Sequence, residues 1–292
     1  MFKTATFRTS LALFAWRLIF VSALLSVFTS AAHAQAQASC TFTNFGLAVN
    51  IPNLGPGFIS PAGINDYGTI VGTATASNDQ IGYQVAFIRW ANGGYSFPFG
   101  TGGASNLTGR NDSGISIGNP STMLKGTTVS MVTLNGGAGP INSLSGINAW
   151  GSIVGTYFTD FPNALTGFKR WSNGGFTSLN FPGGLPTNPT SINDNGAIVG
   201  VYSGGGFLYH NGAWATIKFP NATSTSMVGI SNAGQIVGNA LMPNNTSTPF
   251  LYENGTFKII SVPGAMPNST TVFGISPKLG LILGNGFIAK CQ

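Results

Sequence analysis

Acid–base chemistry has little material in this chain. Beyond residue 34 it holds one histidine, His210, and six acids: Asp66, Asp79, Asp112, Asp160, Asp194 and Glu253. A Ser/His/Asp nucleophile would need that one histidine. His210 directly precedes an Asn211-Gly212 turn, however, and Glu253 occupies the equivalent place before Asn254-Gly255. It therefore reads as an exposed turn residue. Glycoside hydrolysis needs two carboxylates around one bond, and Asp66, Asp112 and Asp194 do share one position of a repeated phrase. Ala149 and Asn232 stand at that position in other copies, which a turn tolerates and a ring of calcium ligands would not. Two cysteines and one histidine are too few for a cysteine–histidine zinc site. No catalytic residue, metal or cofactor is assigned on these grounds.

The elements that would carry any site are set by the phrase itself. It reads Gly63-Ile64-Asn65-Asp66-Tyr67-Gly68-Thr69-Ile70-Val71-Gly72 and returns from Gly109, Gly146, Ser191 and Gly229, with a worn copy from Gly274. The starts are 46, 37, 45, 38 and 45 residues apart. A period near forty with β-type content means units that bury their apolar faces against one another, as in propellers and solenoids. Each unit divides into two hairpins. The first turns at Asn-Asp-x-Gly, and the second joins an aromatic strand to its partner across Asn-Gly, as in Phe168-Lys169-Arg170-Trp171 before Asn173-Gly174. Asn, Asp and Gly suit the positive φ of tight turns. Four strands per unit, A to D, make a propeller blade. The expected fold is all-β: a six-bladed β-propeller of four-stranded blades over residues 35–292, its repeats starting near 63, 109, 146, 191, 229 and 274.

The chain ends point to ring closure. After the sixth phrase there is room for one further strand, Gly286 to Cys291, while a spare strand runs from Thr41 to Ile51. Pairing the N-terminal strand with the C-terminal blade would complete that blade and remove its open edges. The two cysteines, Cys40 and Cys291, fall where the turn of the composite blade would be, so a disulfide between them is expected. The alternative is two unrelated thiols. Residues 1–34 read as a cleaved signal peptide: Lys3, Arg8 and Arg17, an apolar run from Leu18 to Ala32, then Ala32-His33-Ala34. A retained anchor is the alternative. The mature chain is expected to be secreted or periplasmic, monomeric and without a membrane span, and an oxidising compartment would preserve its disulfide. Removing the signal leaves nine basic residues against six acids, with no cluster beyond Lys169-Arg170, which argues against nucleic acid as a partner.

The phrase, followed by Gly206-Phe207-Leu208-Tyr209 and a Pro-Gly step, resembles the HAF-repeat family of bacterial extracellular proteins. Ser191 to Pro220 carries the resemblance best, and it covers nearly all of the chain after the signal. Blade two departs furthest, with Val129-Ser130-Met131 in place of the aromatic strand. The resemblance implies a secreted, propeller-like repeat protein and carries no catalytic residue with it.

Loop length offers a further lead. Fourteen residues separate the phrase from the next aromatic strand in blade one (Thr73 to Ala86), twelve in blade three (Thr156 to Gly167), eleven in blade five (Asn239 to Pro249) and six in blade four (Val201 to Gly206). Long B–C loops thus alternate around the expected ring, on the same face as the D–A crossovers. They hold Asp79, Gln80, Tyr83, Tyr157, Asp160, Phe161, Asn163, Asn244 and Asn245. Aromatic faces beside amides suit sugars, which are held by stacking and hydrogen bonds rather than charge. Simple drift in loop length is the alternative. The expected function is therefore a non-catalytic binding scaffold for a glycan or cell-surface polymer. A structural or protein-interaction role at the cell surface comes second, and a polysaccharide lyase or hydrolase third.

Overall fold

The computed structural model describes residues 36–77, 82–100, 106–136, 138–160, 164–266 and 268–292, which form β-strands and no helix. The expected signal peptide, residues 1–34, lies outside them, as does Gln35. Strands β1 (Ala36–Gln37), β2 (Cys40–Asn44) and β3 (Ala48–Ile51) precede the first phrase. Repeat 1 contains β4 (Gly55–Ile64), β5 (Ile70–Ala76), β6 (Gln84–Arg89) and β7 (Tyr95–Ser96). Repeat 2 contains β8 (Gly109–Arg110), β9 (Ile115–Gly118), β10 (Thr122–Lys125) and β11 (Thr128–Met131). In repeat 3 come β12 (Ile141–Ile147), β13 (Ile153–Asp160), β14 (Ala164–Arg170) and β15 (Phe176–Phe181). Repeat 4 has β16 (Leu185–Ile192), β17 (Ile198–Tyr202), β18 (Gly205–His210) and β19 (Ala213–Ile217). Repeat 5 has β20 (Ser224–Ile230), β21 (Ile236–Leu241), β22 (Ser247–Glu253) and β23 (Thr256–Ile259). Repeat 6 has β24 (Val272–Ile275), β25 (Leu281–Gly284) and β26 (Phe287–Cys291).

Consecutive strands of a repeat pair antiparallel. The missing fourth strand of repeat 6 is β2, which pairs antiparallel with β26 from Cys40↔Cys291 to Asn44↔Phe287. Cys40 and Cys291 form a disulfide across this pair, 251 residues apart in sequence. The expected single strand from Thr41 to Ile51 is in fact divided, because β3 turns to pair with β4 of repeat 1. Ahead of both, β1 adds a parallel strand to the outer edge of β23.

Repeat 2 corrects the reading of its aromatic strand. Its third strand is β10, whereas Val129, Ser130 and Met131 belong to the outer strand β11. The turn between β9 and β10 follows Gly118 at once, so this hairpin is short.

The phrase is built around its asparagine, and for a different reason than positive φ. Asn65 Oδ1 accepts the N–H groups of Tyr67 and Thr69 at 3.1 and 3.0 Å. The left-handed position is Gly68, at φ 70°. The amide Nδ2 then donates outward to the next repeat: Asn65 to Asn111 O, Asn111 to Asn148 O, Asn148 to Asn193 O and Asn193 to Ser231 O. These four asparagines are buried, so each amide satisfies both its own turn and its neighbour's. The closing glycine of the phrase has a steric cause. A Cβ at Gly72, Gly155, Gly200 or Gly238 would overlap the carbonyl oxygen of Ser60, Ser143, Asn188 or Ser226. Each of those oxygens borders a bulge in the facing strand, where the paired backbone presses inward.

Most of the apolar clusters draw side chains from two successive repeats. Val71, Ala86 and Ile88 meet Leu107 and Leu124 between repeats 1 and 2. Val154 and Leu179 meet Ile192, Ile198 and Phe207 between repeats 3 and 4. Ile51, Ile64, Ile70 and Phe87 meet Leu283 between repeats 1 and 6. Phe87, Phe168, Phe207 and Phe250 hold equivalent third-strand positions and are fully buried. Each is of the size whose burial contributes about 1.5–3 kcal/mol.

Candidate functional site

Strand direction sorts the connections onto two faces. The phrase turns and the turns between third and fourth strands share one face. The hairpins between second and third strands, and the crossovers to the next repeat, share the other. On the second face the hairpins differ in height. In repeat 3, β13 and β14 stay paired as far as Asp160↔Ala164, and in repeat 5, β21 and β22 as far as Leu241↔Ser247. In repeat 1, β5 and β6 pair as far as Thr75↔Gln84. Repeats 2, 4 and 6 turn early, at Gly118↔Thr122, Tyr202↔Gly205 and Gly284↔Phe287. Much of what the sequence presents as long loops is thus extended hairpin, and tall and short hairpins alternate.

The short hairpin of repeat 4 lies between two grooves. One, of about 300 Å³, is walled by Asn142, Ser143 and Thr156 of repeat 3 and by Pro186, Thr187 and Asn188 of repeat 4. The other, of about 430 Å³, is walled by Ser203, Gly204 and Lys218 of repeat 4 and by Thr223 to Ser226 at the edge of repeat 5. Tyr202 borders both grooves. Its ring stacks on Phe181, 4.0 Å between centroids and 12° from parallel, and its hydroxyl is 2.7 Å from Thr216 Oγ1. The aromatic wall is therefore held in place before anything binds. Hydroxyls, amides and one fixed ring, with Lys218 the one charged side chain, make a surface for stacking and hydrogen bonding.

None of the residues expected to form the site is among the described residues lining these two grooves. Tyr83 is exposed beside the hairpin of repeat 1, and Asp160, Asn244 and Asn245 are exposed at the ends of the tall hairpins of repeats 3 and 5. Asp79, Gln80, Phe161 and Asn163 lie outside the described residues. Tyr157 belongs to the core: it is 7% exposed, packs edge-on against Phe168 and Phe176, and bonds Ser178 Oγ. Its place opposite Thr166 in the extended hairpin turns the ring inward, between repeats 2 and 3. Tyr202 and the grooves went unread because a groove depends on two neighbours' heights, and the residues of the short hairpin gave no sign of it.

On the opposite face the phrase aspartates also reach between repeats. Asp112 Oδ1 accepts the Asp66 N–H, Asp194 Oδ1 the Ala149 N–H and Asn232 Oδ1 the Asp194 N–H. Asp66 accepts the N–H groups of Lys278 and Leu279, while Lys278 Nζ reaches Asp112 at 3.1 Å. Burial pushes the Asp66 carboxyl up, but hydrogen bonds donated by Leu279, Ser276 and Lys278 outweigh it and hold it below the usual value. Glu253 is also held low, by Gln235 and then Lys258. A general acid needs a carboxyl shifted the other way. His210 is exposed with its ring beside Asn195 O. Among the described residues no group of three or more His, Cys, Asp or Glu could hold a metal, and no helix is long and apolar enough to cross a membrane. The same face carries aromatics that were not part of the expected site: Tyr67 (68% exposed), Trp150 (71%) and Trp90 (39%).

A cavity of about 240 Å³ has walls from all six phrases, including Gly63, Gly109, Gly146, Ser191, Ile230 and Gly274. Every fully buried side-chain nitrogen or oxygen among the described residues has a hydrogen-bond partner.

No protein-family model and no curated protein matches the chain. Among solved structures it is similar to TolB from Acinetobacter baumannii, at 15% identity and a TM-score of 0.45 over 69% of this chain. It spans 55% of that TolB chain. It is also similar to a gluconolactonase from Xanthomonas campestris, at 12% identity and a TM-score of 0.46, covering 88% of this chain and 97% of that one.

Proposed function

We propose that the protein is a non-catalytic scaffold that binds a glycan or cell-surface polymer along the face of alternating hairpins. The observation that carries this reading is the pair of hydroxyl- and amide-lined grooves flanking repeat 4, which share the fixed ring of Tyr202. A chain of sugars laid across the short hairpin would touch both grooves, with the taller hairpins of repeats 3 and 5 on either side. The frame beneath is read as a closed six-bladed propeller. Its support is the pairing of β2 with β26, the packing of β24 against β4 and the cavity shared by all six phrases. The HAF-repeat resemblance and a cleaved signal over residues 1–34 belong to the same reading. So does a non-cytoplasmic location, which the disulfide supports.

The test is binding of residues 35–292 to a panel of polysaccharides and cell-wall fractions, with release of reducing ends recorded alongside. Saturable binding without release is expected. Asn188→Trp or Ser226→Trp, each filling one groove, should weaken it at least tenfold, while Tyr83→Ala on the hairpin of repeat 1 should matter less. Binding unaffected by both fillings would refute the groove, and release of reducing ends would make the protein an enzyme. A second reading has its own observation. Leu165, Leu185, Leu241 and Met266 are exposed on the same face, as a protein-interaction surface would require. Binding to no glycan at all would favour it.

A further inference from the structure

One copy of the phrase breaks its own rule at a position that is buried in the other repeats and half-buried in this one. Its second residue is Ile64, Ile147, Ile192, Ile230 or Ile275 in five repeats, all buried. In repeat 2 it is Arg110. A charge placed where the fold otherwise holds isoleucine is costly unless it is compensated. The compensation within the protein is incomplete. Arg110 Nη1 donates to Gly114 O at 3.0 Å and to Ser116 Oγ at 2.7 Å, and the guanidinium lies 5.3 Å from the Trp90 ring. Among the described residues no carboxylate lies within ion-pair distance. The phrase acid two residues on, Asp112, is engaged by Asp66 and Lys278 instead. Nε and Nη2 have no hydrogen-bond partner among the described residues. These two nitrogens form the side-on fork that matches the two oxygens of a carboxylate.

Arg110 stands in the wall of a cavity of about 370 Å³ between repeats 1 and 2. Its volume falls in the range of small-ligand sites, roughly 300–1,000 Å³. Trp90, Phe97 and Leu124 supply apolar wall, Ser96 and Ser113 supply hydroxyls, and Arg110 is the one charged side chain among the lining residues. Burial lowers the affinity of the guanidinium for its proton, but an arginine stays charged at neutral pH. A ring with an apolar face, several hydroxyls and one carboxylate answers each of these walls in turn. We propose that this cavity binds a uronic acid residue, its carboxylate on the free edge of Arg110 and its ring against Trp90. The site lies on the turn face, opposite the grooves beside repeat 4, and stands independently of them.

The experiment is calorimetric titration of residues 35–292 with galacturonate and glucuronate oligomers, the matching neutral oligomers and inorganic phosphate. Wild-type protein and Arg110→Ile are run in parallel. Isoleucine is the residue of the other five repeats, so Arg110→Ile should fold and melt at the same or a higher temperature. It should bind uronate about 10–100-fold more weakly, the range set by losing hydrogen bonds to a charged group. Its binding of neutral oligomers at the distant grooves should be unchanged. Arg110→Lys, which keeps the charge and loses the fork, should fall between. Equal uronate affinity in wild type and Arg110→Ile would overturn the site. So would no preference for uronate over neutral oligomers in wild type, or binding of phosphate alone.

Discussion

Gly200 and Asn193 show how tightly individual residues of the phrase are determined. A methyl at Gly200 would overlap Asn188 O, a backbone atom that cannot swing aside. Gly200→Ala should therefore cost about 1–3 kcal/mol in urea unfolding, the usual range for overpacking. Asn193 is a matter of hydrogen bonding. Its Oδ1 accepts the Ala197 N–H at 2.9 Å and its Nδ2 reaches Ser231 O at 2.9 Å. Asn193→Ala strands the buried Ala197 N–H and should cost about 1–3 kcal/mol. Asn193→Ser should cost less, because Ser231 already accepts the corresponding N–H of Gln235 in repeat 5. Equal losses for Ala and Ser would show that the bond to the neighbouring repeat, rather than the turn, carries the energy.

At the scale of elements, the turn joining repeat 6 to repeat 1 depends on pH. Asp66 holds the N–H groups of Lys278 and Leu279, and its carboxyl is shifted down. A depressed carboxyl contributes stability that is fully present above its unfolded value, near 3.8, and is lost as pH falls through the folded value. Asp66→Asn should thus lower the melting temperature at pH 7, and the gap to wild type should close toward pH 3. A gap that stayed constant would mean the charge of Asp66 is immaterial. Lys278 is shifted up by its hydrogen bond to Asp112, so its share persists to high pH and fades only above 10.5. Lys278 is exposed, so Lys278→Ala should leave the urea-unfolding midpoint almost unchanged.

For the whole molecule the decisive bond is Cys40–Cys291. It joins strands near the two ends of the described chain, 251 residues apart. Closing so long a loop gives about 5 kcal/mol in the chain-entropy model, and measured values are commonly smaller. Cys291→Ser should lower the unfolding free energy by about 2–5 kcal/mol, and the native protein should release no thiol to a thiol reagent until it is denatured. Ready labelling of the native protein would mean the two ends are held by strand pairing alone. The β2–β26 ladder would then hold the two strands together without a covalent link.

The all-β character, the four strands of each repeat, the disulfide and the strand lent from the N-terminus were all legible in the sequence. Each rests on a local pattern or on a count: a recurring phrase, Asn-Gly turns, one strand too few at one end and one too many at the other. The asparagine was legible as a turn residue, but its amide bond to the next repeat was not, since periodicity says nothing of what crosses between units. Sites were the least legible. Tyr157 had the sequence of a loop aromatic and became core, because the hairpin extended and turned its ring inward. Tyr202 looked unremarkable until the taller hairpins on both sides made grooves of its surroundings. Arg110 passed as one more residue of the phrase in the sequence, and only packing showed its free guanidinium edge beside Trp90. Local hydrogen-bonding rules determine where a strand turns. What stands beside that turn is decided by neighbours about forty residues away, and so by the tertiary structure alone.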